Sequence, residues 1–314
     1  MSILLFEKGW DVVLWSPFAD YAQWMETSRQ NVRYLPGVVL PRGLKITSRF
    51  GDCASADLIV VAVPSKYLRG VLMAGKPLIK SKMSVVSVVK GLEEKTLLCM
   101  TQVIRNVWPC ERLAVLSGPT IASEVVRHMP STAVVSSKDE GFMKDLQDIF
   151  MSAHFRIYRN PDTMGVELGG SLKNIIAIAC GISDGLGFGT NAKAAIVSRG
   201  LAEMSRLGVE MGAKKETFSG IAGLGDLVTT CFNASSRNHS VGERIGRGEN
   251  VKDILSSMTM VAEGVTTSLS ALGLSRKYKV PMPITREICN VLFHNASAKD
   301  AVKALMERKK KAEA

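Results

Sequence analysis

Several common classes of protein are excluded by what this 314-residue sequence lacks. Its six cysteines, at 53, 99, 110, 180, 231 and 289, are nowhere spaced as CxxC and have no histidine partners at metal-ligand intervals, so reduced, unpaired thiols are expected and no metal site. No run approaches the roughly 20 apolar residues that span a bilayer, and the apolar start is too short and, at Glu7, too acidic for a signal peptide. No membrane span and a cytoplasmic location are therefore expected. There is no internal repeat and no low-complexity linker. One more absence lies at the N-terminus. "ILLFEKGWDVVLWSPFAD", 3–20, reads as the end of a helix, a glycine stop and a buried strand, which is the back half of a βαβ unit, yet only Met1 and Ser2 precede it.

What is present is ordinary globular material. Apolar residues make up 46% and charged residues 22%, which predicts a packed core, and the length favours two domains over one. Lys and Arg number 40 against 29 Asp and Glu, a net charge of +11, which suits a nucleic-acid binder, a membrane-surface protein or an enzyme of anionic substrates. The basic residues are scattered. The one dense cluster, "ERKKKAEA" at 307–314, reads as a solvated tail, so no nucleic-acid partner is expected.

From Trp10 to about Asn160, short β-rich runs alternate with helical patterns: 10–15, 44–50, 56–65, 84–91, 112–120, 131–137 and 155–160. That alternation predicts a parallel α/β sheet, with ligands beyond the carboxyl ends of its strands. After Asp162 the pattern becomes long and helical, which predicts an all-α second domain, and "RNPDTMG" (159–165) breaks the two patterns apart. The expected division is a dinucleotide-binding domain over 1–160 and a helical substrate domain over 161–314.

Three stretches carry chemistry. In "GVELGGSLKNIIAIACGISDGLGFGTNAKAA" (165–195), Lys173 and Asn174 enter a helix otherwise small or apolar on every side. Such a lysine either snorkels to water or, desolvated, becomes able to pass protons; Gly169 and Gly170 just before it admit a close backbone or ligand. In "SGIAGLGDLVTTCFNASSRNHSVGERIG" (219–246) a turn presents Asp226 and a threonine pair, and Ser235-Ser236-Arg237-Asn238 opens a helix. Those last residues read equally as an N-cap with an exposed arginine or as an anion site for phosphate. The G-x-G of "AGLGDL" (222–227) is an interhelical turn, since no strand precedes it and no third glycine follows. "VVKGLE" (88–93) and "SGPTIASE" (117–124) are strand tips leading into helices, making Lys90, Gly118 and Thr120 cleft candidates beside ordinary turn chemistry.

"VKGLE", "LSGPTIASE", "GVELGGSLKNIIAIACGISDGLGFG", "RGLAEMSRLG", "AGLGDLVTTC", "SRN", "VAEGV" and "MPIT" occur in the order and spacing of NAD(P)-dependent glycerol-3-phosphate dehydrogenases of the bacterial cytosolic type, and the sequence resembles that family from about residue 3 to its end. The resemblance implies a Rossmann-like sheet domain followed by an all-α domain, NAD(P)H as cofactor, dihydroxyacetone phosphate and sn-glycerol 3-phosphate as the small phosphorylated substrates, and a homodimer. It implies Lys173 as acid/base on the C2 oxygen, oriented by Asp226 and Asn174, with Lys90 reaching both cofactor and substrate. Thr120, Thr230, Ser236, Arg237 and Asn238 would hold the substrate phosphate. Gly118, Ala122, Val261 and Glu263 would line the cofactor or substrate cleft, Arg237 also touching the cofactor.

The sequence departs from that family in three places. The family's first strand, its "GAGSWGTALA" loop and most of its first helix are missing, on the order of twenty residues. Pro17 stands where the family often has Arg or His able to meet the 2′-phosphate of NADP. His239 in "SRNHS" takes a place usually held by a basic residue. The first departure motivates a rival reading, a catalytically impaired remnant that binds only a phosphorylated ligand. A dehydrogenase of another substrate class is disfavoured, because it would not need the Ser-Arg-Asn site together with the Lys-Asn helix.

Overall fold

The computed structural model describes residues 1–79, 83–310 and 312. Lys311, Glu313 and Ala314 of the basic tail lie outside the described residues.

Among the described residues the strands are β1 (Val13–Trp15), β2 (Gln30–Asn31), β3 (Leu35–Val39), β4 (Lys45–Thr47), β5 (Leu58–Val61), β6 (Ser84–Ser87), β7 (Arg112–Ser117), β8 (Ser131–Ser137) and β9 (Phe155–Arg159). The helices among and before them are α1 (Ser2–Glu7), α2 (Ala19–Ser28), α3 (Ser65–Gly75), α4 (Met100–Val107), α5 (Ala122–Val125) and α6 (Glu140–Phe150). From Thr163 onward the described residues form only helices: α7 (Thr163–Gly185), α8 (Thr190–Glu210), α9 (Lys215–Ser219), α10 (Asp226–Phe232), α11 (Arg237–Gly246), α12 (Val251–Ser256), α13 (Glu263–Tyr278), α14 (Pro283–Phe293) and α15 (Ala298–Met306).

The main sheet has the order β5-β6-β7-β8-β9 and is parallel except where β8 runs antiparallel to β7. Val85, Val86, Ala114, Val115, Ala133 and Val135 are almost wholly enclosed, as expected of strands covered on both faces. One face packs with α1 and α6 through Leu4, Leu5, Phe142, Leu146 and Phe150, the other with α3 and α4 through Leu68, Leu72, Val103, Ile104 and Trp108. The expected single sheet is split. β1 pairs only with β4, β2 pairs with β3 in a hairpin the sequence reading did not foresee, and no ladder joins β1 to β5. Gly9, at φ 88°, stops the first helix as its lack of a Cβ permits, but β1 is half-buried rather than buried.

The helical part is built around α7. Asp162 caps it by accepting from the Gly165 amide at 2.9 Å and ties it to α9 by accepting from the Lys214 amide and the Thr217 hydroxyl. The expectation that no stretch could span a membrane is corrected here, since α7 is 23 residues long and apolar enough to do so by length and composition. All of its apolar window is enclosed by other helices, chiefly α8, α10, α11 and α13, so its apolar circumference is that of a core helix.

Candidate active site

The parallel register brings three strand tips to one edge. Val61, Ser87 and Val115 are aligned across β5, β6 and β7, and three residues beyond them stand Pro64, Lys90 and Gly118. Gly118 has φ 134°, and a Cβ there would sit 3.1 Å from the Ala133 backbone, so the turn that aims its carbonyl at Lys90 requires glycine.

Across from these tips stands the middle of α7. The ammonium of Lys173 donates to the Asp226 carboxylate and, at 2.5 Å, to the Thr230 hydroxyl. Lys90 donates to the other Asp226 oxygen at 2.6 Å and to the Gly118 carbonyl at 2.8 Å. Two lysines, one from the sheet and one from the helical part, thus converge on a single carboxylate whose side chain is 2% exposed. Asp226 begins α10 directly after a π-helical turn over Ile221–Gly225, which replaces the plain interhelical turn expected of "AGLGDL". Burial pulls the Lys173 pKa down to about 8; Asp226 opposes that shift and the Lys90 charge adds to it. The snorkelling alternative does not hold, because the Lys173 side chain is only 7% exposed and its ammonium is spent on Asp226 and Thr230.

Gly169 and Gly170 admit protein rather than ligand. A Cβ on Gly169 would lie 2.5 Å from the Ala222 carbonyl, and one on Gly170 would lie 2.4 Å from the Ser117 hydroxyl and 3.4 Å from the Lys90 stem. Asn174 does not orient Lys173. Its side-chain oxygen accepts from Asn238 at 2.9 Å, and the Asn238 oxygen accepts from the Gly264 amide at 2.9 Å, so the two amides join α7, α11 and the start of α13. Asn238 is buried in that chain with one of its two amide hydrogens spent on Asn174, and the Thr230 hydroxyl accepts from Lys173 while its proton goes to the Asp226 carbonyl.

Ser236 is the N-cap of α11, its hydroxyl accepting from the His239 amide, and Arg237 projects exposed from the first turn with one arm on the Val261 carbonyl at 2.8 Å. Thr120 donates to the Gly118 carbonyl at 3.2 Å, and Ala122 is exposed at the start of α5. Glu263 is turned to an internal task, accepting from the Ser65 amide at 2.9 Å and from its hydroxyl at the N-terminus of α3; burial raises its pKa. His239 is buried with Nε2 on Asp184 at 2.8 Å, and Pro17 is exposed just past β1. Sequence reasoning missed Glu167, Thr101 and Ser171, which bind α7 to the segment after Lys90. Glu167 carried the same signal as Lys173, a charge in an all-apolar helix.

Residues 1–143 match the family described as NAD-dependent glycerol-3-phosphate dehydrogenase N-terminus, and residues 162–303 its C-terminus. A glycerol-3-phosphate dehydrogenase [NAD(P)+] of Syntrophotalea carbinolica is 47% identical over all of this chain and 95% of its own length, and that of Geobacter sulfurreducens is 46% identical with the same coverage. The crystal structure of glycerol-3-phosphate dehydrogenase from Coxiella burnetii superposes with a TM-score of 0.93 at 37% identity, covering 98% of this chain and 94% of that one. By these matches the chain belongs to the NAD-dependent glycerol-3-phosphate dehydrogenase family.

Proposed function

We propose that Lys173 is the acid/base in the interconversion of dihydroxyacetone phosphate and sn-glycerol 3-phosphate with NAD(P)H, the oxidoreductase reaction of this family, which feeds glycerophospholipid synthesis. The observation that carries the assignment is the convergence of Lys173 and Lys90 on Asp226. With two cations and one anion, the cluster keeps a net positive charge where a carbonyl oxygen would gain negative charge during reduction. The Lys173 ammonium donates its proton to that oxygen as the C2 centre is reduced, and takes one back in the reverse direction. Asp226 and Thr230 hold the ammonium in place between turnovers. Lys90 adds a second donor from the opposite wall.

The residues fit a nicotinamide cofactor. Lys90 and Gly118 sit at the carboxyl ends of parallel strands, and the exposed Arg237 guanidinium, held by Val261 and close to Glu263, offers a cation at the rim. Lys90, Ala122, Arg237, Val261 and Glu263 are the groups we assign to it, and when bound it supplies the hydride. For the substrate phosphate, the free cation of Arg237 and the α11 N-terminus capped by Ser236 are the strongest candidates, with Thr120 at the opposite strand tip. Asn238 would act there through its remaining amide hydrogen, and Thr230 only if its bond to the Asp226 carbonyl exchanges on binding.

The division we infer is a dinucleotide-binding domain over 1–160 and a substrate domain over 161–314, in a cytoplasmic enzyme of one small phosphorylated substrate. The family resemblance also supports a homodimer, which light scattering of the purified protein tests directly. For the acid/base role the test is Lys173→Ala assayed by NADH oxidation with dihydroxyacetone phosphate. Turnover should fall by about 10²–10⁴. A variant that keeps more than a tenth of wild-type turnover removes Lys173 from the mechanism.

A further inference from the structure

We propose that Glu167 is a positioning residue of this dehydrogenase: by gripping the start of α4 it fixes where Lys90 meets Lys173 across Asp226. The proposal rests on the reading of Lys90 and Lys173 as groups that face the substrate.

Glu167 lies on α7 six residues before Lys173, about 9 Å along the helix axis, and is 6% exposed. Among the described residues no cation pairs with it. Its oxygens accept instead from the Thr101 amide, at 2.9 Å, and from the Thr101 hydroxyl, at the N-terminus of α4. A buried carboxylate compensated only by a helix end is expensive, and apolar side chains would fill the same space at lower cost. Its place in the molecule is therefore better explained by what it holds.

Thr101 is joined to Lys90 through a closed loop. Leu92 bridges Cys99 in antiparallel fashion, the Glu93 amide donates to the Leu98 carbonyl at 2.9 Å, and the Leu97 amide returns to the Glu93 carbonyl at 2.9 Å. Arg69 braces the loop from α3 by donating twice to Glu93, each at 2.7 Å. A pull on the start of α4 is thus transmitted to Leu92, two residues from Lys90. One turn beyond Glu167 on the same side of α7, the Ser171 hydroxyl donates to the Gly91 carbonyl at 3.1 Å. Gly170 lets the Lys90 stem lie against the same helix. The helix that carries Lys173 therefore holds the Lys90 segment at successive levels, Glu167 on Thr101, Ser171 on Gly91, Gly170 against the Lys90 stem, and the two ammonium groups finally share Asp226. Without the Glu167 clamp the segment can slide on α7 and carry the Lys90 ammonium with it. Displacements of about 1 Å can cost on the order of 10² in rate.

The test is a double-mutant cycle of Glu167→Gln with Lys90→Ala, following kcat and KM for dihydroxyacetone phosphate. Gln keeps the shape but offers one acceptor where the carboxylate offers two. Glu167→Gln should lower kcat by about 10- to 100-fold with little change in KM. In the Lys90→Ala background the same substitution should have almost no further effect on kcat, because its action passes through Lys90. Thr101→Val, which removes only the hydroxyl partner, should reproduce part of the kcat loss and serves as the readout if Glu167→Gln does not fold. A purely structural cap predicts independent, multiplying losses in rate. Multiplying losses, or wild-type kcat in Glu167→Gln or in a Thr101→Val variant standing in for it, overturn the proposal. If Lys90→Ala itself turns over like wild type, the reading of Lys90 fails first and the proposal with it.

Discussion

Lys173 keeps its ammonium in surroundings that disfavour charge, and the balance sets the pH at which it works. Burial lowers its pKa to about 8, the Lys90 cation pushes the same way, and Asp226 pulls back. Reduction needs the protonated form, so its kcat should fall as pH rises through about 8, whereas oxidation needs the neutral form and should rise over the same interval. Lys90→Ala removes the repelling cation and should move both inflections to higher pH. Steady-state profiles in the two directions check this, and unmoved inflections would mean that Lys90 does not act on Lys173. Arg237 is exposed and, among the described residues, its side chain donates to the Val261 carbonyl alone, which leaves charge available for an anion. Arg237→Ala should weaken turnover of the phosphorylated substrate far more than that of dihydroxyacetone. Equal losses with both would deny it the phosphate. Lys173, Asp226 and Lys90 were legible in the sequence because a charge in an apolar helix, a turn before a helix and a strand tip are local signals. The partner of Asn174 was not, because it comes from α11, 64 residues away.

Among the elements, α7 and α11 pack more closely than side chains would permit. A Cβ on Gly181 would lie 2.0 Å from the His239 carbonyl, and one on Gly242 would lie 2.0 Å from the Ile178 carbonyl. Each helix thus presents a glycine to the other's backbone, and this close contact lets Asn238 of α11 reach Asn174, the neighbour of Lys173 on α7. Gly181→Ala gains about 1 kcal/mol of helix propensity but must push two backbones apart, at about 1–3 kcal/mol or more. The variant should unfold at lower urea concentration than wild type. A midpoint equal or higher would show that α11 moves away without strain. Elsewhere in the helical part, buried Glu203 of α8 accepts from the Ile284 and Thr285 amides at the start of α14, as buried Glu167 and half-buried Glu263 do at the starts of α4 and α3. Binary patterning predicts each of these helices but not which carboxylate caps which helix, since cap donors and acceptors lie many turns apart in sequence.

For the molecule as a whole, such carboxylates tie stability to pH. Glu167 has its pKa raised to about 7, burial outweighing the donors of Thr101. A carboxyl group raised in the folded state contributes stability that is full below its unfolded pKa of about 4.5 and is lost as pH rises through about 7. The stability advantage of wild type over Glu167→Gln should therefore shrink from about pH 5 to about pH 8, by up to roughly 3 kcal/mol. Denaturant titrations of both proteins at several pH values measure the difference, and a constant difference would show that Glu167 does not change protonation across that range.

Periodicity is a property of neighbours along the chain, and so the alternation up to Asn160, the helices after Asp162 and the family motifs could be read from the sequence. Membership of the glycerol-3-phosphate dehydrogenase family follows from those motifs alone. Sheet pairing is a property of distant segments, and only the tertiary structure decided that β1 pairs with β4 apart from the main sheet and that β8 reverses against β7. The same holds for charge. The sequence placed Lys173 and Glu167 in one apolar helix, but folding alone decided that one would meet Asp226 and Lys90 and the other a helix end, because desolvation and its compensation depend on what packs across the gap rather than on what lies next in the chain.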